Sequence, residues 1–311
     1  MKASLPIGLA TFALAAILCG IQPRATAQAQ NPPPSPALDQ TPLTAEQLDD
    51  LISRTIANQH RNDAAADSFE RIEQQASHAG SADGPITQDK TYRIVPTGSG
   101  TLKLLVRDSS KAVSDAFYRR QLRDWESILK IAVNGDDPRQ VAVLAKQQKR
   151  RKDRARFIDT ALSAYKITWL AREVRVGRVV EKLQFDANPA YKPRGDTTDW
   201  LTHAQAIVWI DAQDAQAAAI DATITRDISI GGGFLGKIYR GGHFLMQQAP
   251  AAPGIWEPTH YEYDISGRKF LFAFTMHEEI SNSHYRLLGP PDQLLAEAQN
   301  NIAHCCDVAT P

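Results

Sequence analysis

Between Ala204 and Leu288, apolar and polar residues alternate in a two-residue rhythm. Ile220, Ala222, Ile224, Ile228 and Ile230 fall on one side, while Asp221, Thr223, Thr225, Asp227 and Ser229 fall on the other. This is the pattern of antiparallel strands with one buried face. Phe270, Phe272, Phe274 and Met276 repeat it. Two well-separated strands therefore present bulky apolar faces, and what covers those faces is the functional question.

Upstream the period changes twice. Thr44 and Gln47 have the spacing of a capping box, and Leu48, Leu51, Ile52 and Ile56 form the stripe of an amphipathic helix. Strands are predicted around 68–74, 90–95 and 102–107, divided by Gly- and Ser-containing turns. From Ser114 to Val133 the apolar residues Tyr118, Leu122, Trp125 and Leu129 recur at helical spacing, and Asn134 with Gly135 ends the run. Asp137 and Pro138 open a second helix carrying Val141, Leu144, Ile158, Leu162 and Tyr165. This pair reads as a helical insertion, residues 112–166, in a β-rich domain. Strands resume at 167–175 and 178–186 around a turn at Gly177.

Composition adds the boundaries. Lys2, an apolar run from Leu5 to Leu18, and small residues at Ala25, Ala27 and Ala29 predict a secretory signal peptide over residues 1–29. Pro6 and Gly8 interrupt a run too short to span a bilayer. The expected location is therefore periplasmic or secreted. Bulky Leu18 before Cys19 argues against a lipoprotein anchor. Pro32, Pro33, Pro34, Pro36 and Pro42 mark residues 30–42 as an extended linker. One domain is expected over 43–289, followed by a tail over 290–311 holding a short helix before it frays. Charge is balanced, 35 Lys plus Arg against 35 Asp plus Glu, so no bulk field points to nucleic acid. Cys305 and Cys306 are adjacent and cannot staple distant parts of the chain.

No motif declares a catalytic group, metal or cofactor. Gly231, Gly232, Gly233 and Gly236 spell G-x-G-x-x-G after a strand, but residues 237–246 read as another strand broken by Gly241 and Gly242, so a glycine-rich turn or bulge is expected. His277, Glu278 and Glu279 resemble the start of a zinc-protease helix, yet position 281 is Ser281 and the segment is strand-like. His243, His260, His277 and His284 lack a liganding pattern and read as scattered surface histidines. The run Lys146, Lys149, Arg150, Arg151, Lys152, Arg154 and Arg156 could meet lipid phosphates at an envelope surface; spread around a helix, it reads as a solvated face.

Ala206 to Asp211, with the WID triplet at Trp209, Ile210 and Asp211, is followed by the strand Asp221 to Arg226. This pair resembles the corresponding strands of outer-membrane lipoprotein-sorting (LolA-like) proteins. NPAYKP at Asn188 to Pro193, RDISIGGG at Arg226 to Gly233 and SGR at Ser266 to Arg268 are similar to a group of secreted bacterial proteins with the same strand pair. The resemblance covers most of residues 43–288 and implies an α+β, mostly β fold: a curved antiparallel half-barrel with helices on its concave face. It also implies a non-enzymatic domain sheltering a lipid, a lipoprotein acyl group or another apolar ligand. Trp169, Phe185, Trp209, Ile224, Phe272 and Phe274 are the expected apolar lining. The alternatives are an envelope scaffold with a closed core and, more remotely, an envelope hydrolase. The insertion would either fill the concavity or form its lid.

Overall fold

The computed structural model describes residues 38–192, 200–230 and 236–305. The expected signal peptide, most of the expected linker, the Gly231–Gly233 cluster and Cys306 lie outside the described residues. Among the described residues twelve strands form one open antiparallel sheet. They are β1 (Phe69–His78), β2 (Ile86–Pro96), β3 (Thr101–Asp108), β4 (Tyr165–Arg175), β5 (Arg178–Ala187), β6 (Ala204–Asp211), β7 (Ala217–Ile224), β8 (Ile228–Ile230), β9 (Gly236–Ile238), β10 (His243–Ala252), β11 (Ile255–Lys269) and β12 (Phe272–Leu287). Ten run in the order β3-β2-β1-β12-β11-β10-β7-β6-β5-β4, and the short β8–β9 hairpin joins at β11. Gly177 turns the β4–β5 hairpin at φ +75°, a conformation open to glycine without a Cβ penalty.

Among the described residues four α-helices accompany the sheet: α1 (Ala45–Ala65), α2 (Asp115–Val133), α3 (Pro138–Ala164) and α4 (Pro291–His304). The capping box forms as expected, with the Gln47 amide donating to Thr44 Oγ1 at 3.2 Å and the Thr44 amide to Gln47 Oε1 at 2.9 Å. Pro138 occupies the first turn of α3, where Asp137 accepts from the Arg139 amide at 2.8 Å. None of the helices among the described residues is long and apolar enough to cross a membrane.

The two insertion helices go to opposite faces. On β2 and β3, Arg93 pairs with Leu104 on one face, and Ile94 pairs with Lys103 on the other. Val95 and Leu104 pack with Leu122, Trp125 and Leu129 of α2 and with Leu294 and Ala298 of α4. The short helix expected within the tail over residues 290–311 is α4, and it packs into this core. α3 lies over the other face with α1. Since α2 follows edge strand β3 and α3 leads into edge strand β4, the insertion connects the two ends of the sheet. At about 40 Å for its 27 residues, α3 is long enough to traverse it.

Candidate functional site: a two-chambered hollow beneath α1 and α3

Register assembles one continuous sheet face. Trp169 pairs with Leu183, Leu183 with Val208, Val208 with Ile220, Ile220 with Met246, Met246 with Tyr261, and Tyr261 with Ile280. Alternation places all of these on the side facing α1 and α3. The first half of α1 packs drily on it, with Leu48, Leu51 and Ile52 against Leu183, Val208 and Ile210. Its second half is held differently. Asn58 Nδ2 donates to the carbonyls of Asp214 and Ala215 at 2.7 and 2.8 Å. Asn62 Nδ2 donates to Gln216 Oε1 at 2.8 Å, and Asn62 Oδ1 accepts from the Trp256 amide at 3.1 Å. Amide pegs replace apolar packing there, and a hollow opens beside them.

One part of the hollow is apolar. About 370 Å³ lies between Ile52 and Ile56 of α1, Ile158 and Leu162 of α3, and Phe185 and Ile220 of the sheet. The neighbouring part is polar, about 460 Å³, and includes Arg71, Glu73, Gln248, Glu257, Tyr261 and Tyr285 in its wall. Gln59, Asp63, Arg154 and Met246 line both chambers, so the two adjoin. At that junction Arg154 of α3 meets Asp63 of α1 at 3.0 Å. A further apolar hollow of about 450 Å³, with Ala222, Ile224, Phe244 and Ile265 in its wall, meets the polar chamber at Tyr263.

In the polar chamber most charges are paired. Arg71 Nε donates to Asn282 Oδ1 at 3.2 Å and a guanidinium nitrogen stands 4.0 Å from Glu73, which also takes an ion pair from Lys103. Asp67 accepts from Gln147 at 2.9 Å and lies 3.6 Å from Arg151. Glu257 is the exception. Its residue is only 4% exposed, and its Oε1 has no hydrogen-bond partner, like Oε1 of buried Gln248. Burial pushes the Glu257 carboxyl up to about 7; Arg71 opposes the rise, while Asp63 and Asp67 reinforce it. Burial likewise raises Tyr261 and Tyr285. The ladder between β10 and β11 is irregular at Gln247/Gln248, opposite Pro258, which has no amide hydrogen to donate. Such bulges re-aim side chains.

The expected lining residues divide. Phe185 lines the apolar chamber and Ile224 the further apolar hollow. Trp169 packs beside Leu183 and Val208 and donates to Glu181 at 2.7 Å, so it supports the wall without reaching the cavity. Trp209 alternates with Val208 and Ile210 and falls on the opposite face. There its indole donates to Glu173 at 3.0 Å beneath the Arg175 guanidinium, 4.3 Å from the ring centroid. Phe272 and Phe274 share the cavity face by register but lie at the far end of the β11–β12 hairpin, 78% and 38% exposed. Phe274 packs over Gly267, where a Cβ would also stand 2.3 Å from the Lys237 carbonyl. Glu257 and Gln248 carried no sequence signal.

Three of the four histidines stand near strand carboxylates, His243 2.8 Å from Asp221, His277 2.8 Å from Asp264 without a hydrogen bond, and His260 3.8 Å from Glu279, while His284 meets Ser283 Oγ at 2.9 Å. Among the described residues no group of three His, Cys, Asp or Glu could hold a metal ion. On α3, Arg151 and Arg154 turn to Asp67 and Asp63, while Lys146, Lys149, Arg150, Lys152 and Arg156 are exposed. Cys305 is disulfide-bonded.

No family model matches the chain, and no curated protein matches it. Solved structures do. A domain named for outer-membrane lipoprotein sorting from Vibrio parahaemolyticus is 9% identical, with 75% of this chain and 91% of that one covered, at a TM-score of 0.29. A LolA superfamily protein from Nitrosomonas europaea is 12% identical, covering 81% and 97%, at a TM-score of 0.27. A DUF1329 family protein from Desulfovibrio piger is 11% identical, covering 76% and 92%, at a TM-score of 0.26.

Proposed function

We propose that this protein is a periplasmic or secreted carrier that shelters the apolar tail of a lipid or lipoprotein acyl group beneath α1 and α3. One observation carries the reading: the chamber of about 370 Å³ walled by Ile52, Ile56, Ile158, Leu162, Phe185 and Ile220. That volume is within the range that holds small ligands. Each sheltered methylene contributes about 0.8 kcal/mol, so ten contribute roughly 8 kcal/mol before the cost of ordering the chain. The role is desolvation and needs no bond-making group. A dry concave face would have favoured the closed-core scaffold; the hollow favours the carrier. α3 then serves as a lid, and the five exposed cations on its outer surface suit transient contact with anionic headgroups.

Purified protein extracted with organic solvent is expected to release one amphiphile per chain, read by mass spectrometry. Ile56→Trp, which places an indole in the chamber, is expected to lower that yield by about tenfold, the effect of losing a couple of buried methylenes. Circular dichroism of the variant should be unchanged. An empty wild-type extract, with no uptake of fluorescent fatty acid, would contradict the carrier.

A further inference from the structure

The polar chamber has no role in sheltering an acyl chain, yet it adjoins the apolar one and is the more completely built of the two. We propose that it is a headgroup site for a primary ammonium, so that the ligand is an amphiphile with an amine at its polar end. This rests on the carrier reading for the tail and adds the chemistry of the head.

Within the chamber wall, the buried side-chain atoms without a hydrogen-bond partner are Glu257 Oε1 and Gln248 Oε1. Both are acceptors. A buried acceptor left unsatisfied is costly, so the complementary ligand is a donor, and an ammonium brings three. Asp63 from α1, Asp67 from the turn after it and Glu73 from β1 share the wall with Glu257, together with Arg71 from β1 and Arg154 from α3. With Glu257 ionised the wall carries four carboxylates and two guanidiniums, and Lys103 and Arg151 pair with Glu73 and Asp67 from outside the lining, so Glu257 is the carboxylate left without a cation of its own. Both guanidiniums are engaged by Asn282, Glu73 and Asp63, which leaves no free cation to receive a phosphate or carboxylate.

Aromatic faces complete the cradle. Tyr261 and Tyr263 stack at 6.1 Å between centroids, with Phe244 5.2 Å from Tyr263, the kind of surface on which an ammonium gains cation–π attraction. Tyr285 spends its hydroxyl hydrogen on the Pro258 carbonyl at 2.5 Å. The carboxyl of Glu257, raised to about 7 by burial, ionises when the ammonium enters, and a proton leaves to solvent.

Titration calorimetry with decylamine, decanol and decanoate, which share one tail, separates head from tail. The intact protein is expected to bind decylamine at least about tenfold more tightly than decanoate, as a charge-assisted hydrogen bond allows. Amine affinity is expected to fall as the pH drops through about 7, while decanol affinity stays level. Glu257→Gln should remove the pH dependence and bring amine affinity down to about that of decanol. If decanol binds but the amine binds no better, or Glu257→Gln leaves amine affinity unchanged, the headgroup assignment is overturned and the apolar chamber stands. If none of the three binds, the carrier reading falls, and this one with it.

Discussion

Replacing Glu257 by glutamine is expected to stabilise the ligand-free protein at pH 8 by about 3 kcal/mol and to change it little at pH 4. The carboxyl is held in the folded chain at about 7 against an ordinary 4.5, and burial is the main cause. A group whose folded value is raised contributes fully to stability below its unfolded value and loses that contribution as pH rises through the folded value. For Glu257 the window runs from about 4.5 to about 7. At about 1.4 kcal/mol per pH unit between the two values, the loss is about 3 kcal/mol above that window. Glutamine has no proton to lose and avoids it. Urea unfolding of both proteins at pH 4 and pH 8 measures the difference. Equal midpoints at pH 8 would mean that Glu257 is solvated, contrary to its buried, partnerless Oε1. A residue that weakens the empty protein and strengthens the proposed complex is what a binding site, as opposed to a core, would carry.

The opposite expectation holds for Trp125. Its indole is fully buried among Val95, Leu104, Leu122, Leu129 and Leu294, and Nε1 donates to the Pro96 carbonyl at 2.8 Å. Trp125→Ala removes the side chain that joins α2 to α4 and to β2, and it leaves that carbonyl without its donor. The expected loss is about 3 to 5 kcal/mol, the range for large aromatic truncations in cores. Because this cluster lies on the face away from the chambers, ligand affinity of the surviving folded fraction should not change. Denaturant unfolding gives the first quantity and calorimetry the second. A loss under about 1 kcal/mol would show the α2–α4 layer to be dispensable.

Much of the fold is legible in the chain because its signals are local. Ile220, Ala222 and Ile224 alternate as one strand face must, and Thr44 with Gln47 and Asp137 with Pro138 mark helix starts that the structure reproduces. The short helix expected in the tail is α4, and the helical spacing of Leu294, Ala298 and Ile302 is what packs it into the core. The site was less legible for two physical reasons. First, β6 is apolar on both faces, Val208 and Ile210 on one and Ile207 and Trp209 on the other, so alternation fixes which residues share a face and not which face is hollow. Second, Glu257 enters the chamber beside an irregular stretch of the β10–β11 ladder, a long-range pairing that leaves no local mark on the sequence IWEPTHY. Phe272 and Phe274 illustrate a third gap: register assigns their face, but only the lengths of β11 and β12 reveal that the hairpin ends in solvent, with Leu271 92% exposed at its tip.

The most direct test is to locate a tail. A decylamine carrying a terminal bromine, co-crystallised with the protein, should give an anomalous bromine peak between α1 and α3, beside Ile158, Phe185 and Ile220, with its nitrogen within hydrogen-bonding distance of Glu257 Oε1. Bromine density only at the exposed Phe270–Phe272 hairpin tip, or no peak at occupancies where calorimetry shows binding, would contradict the account.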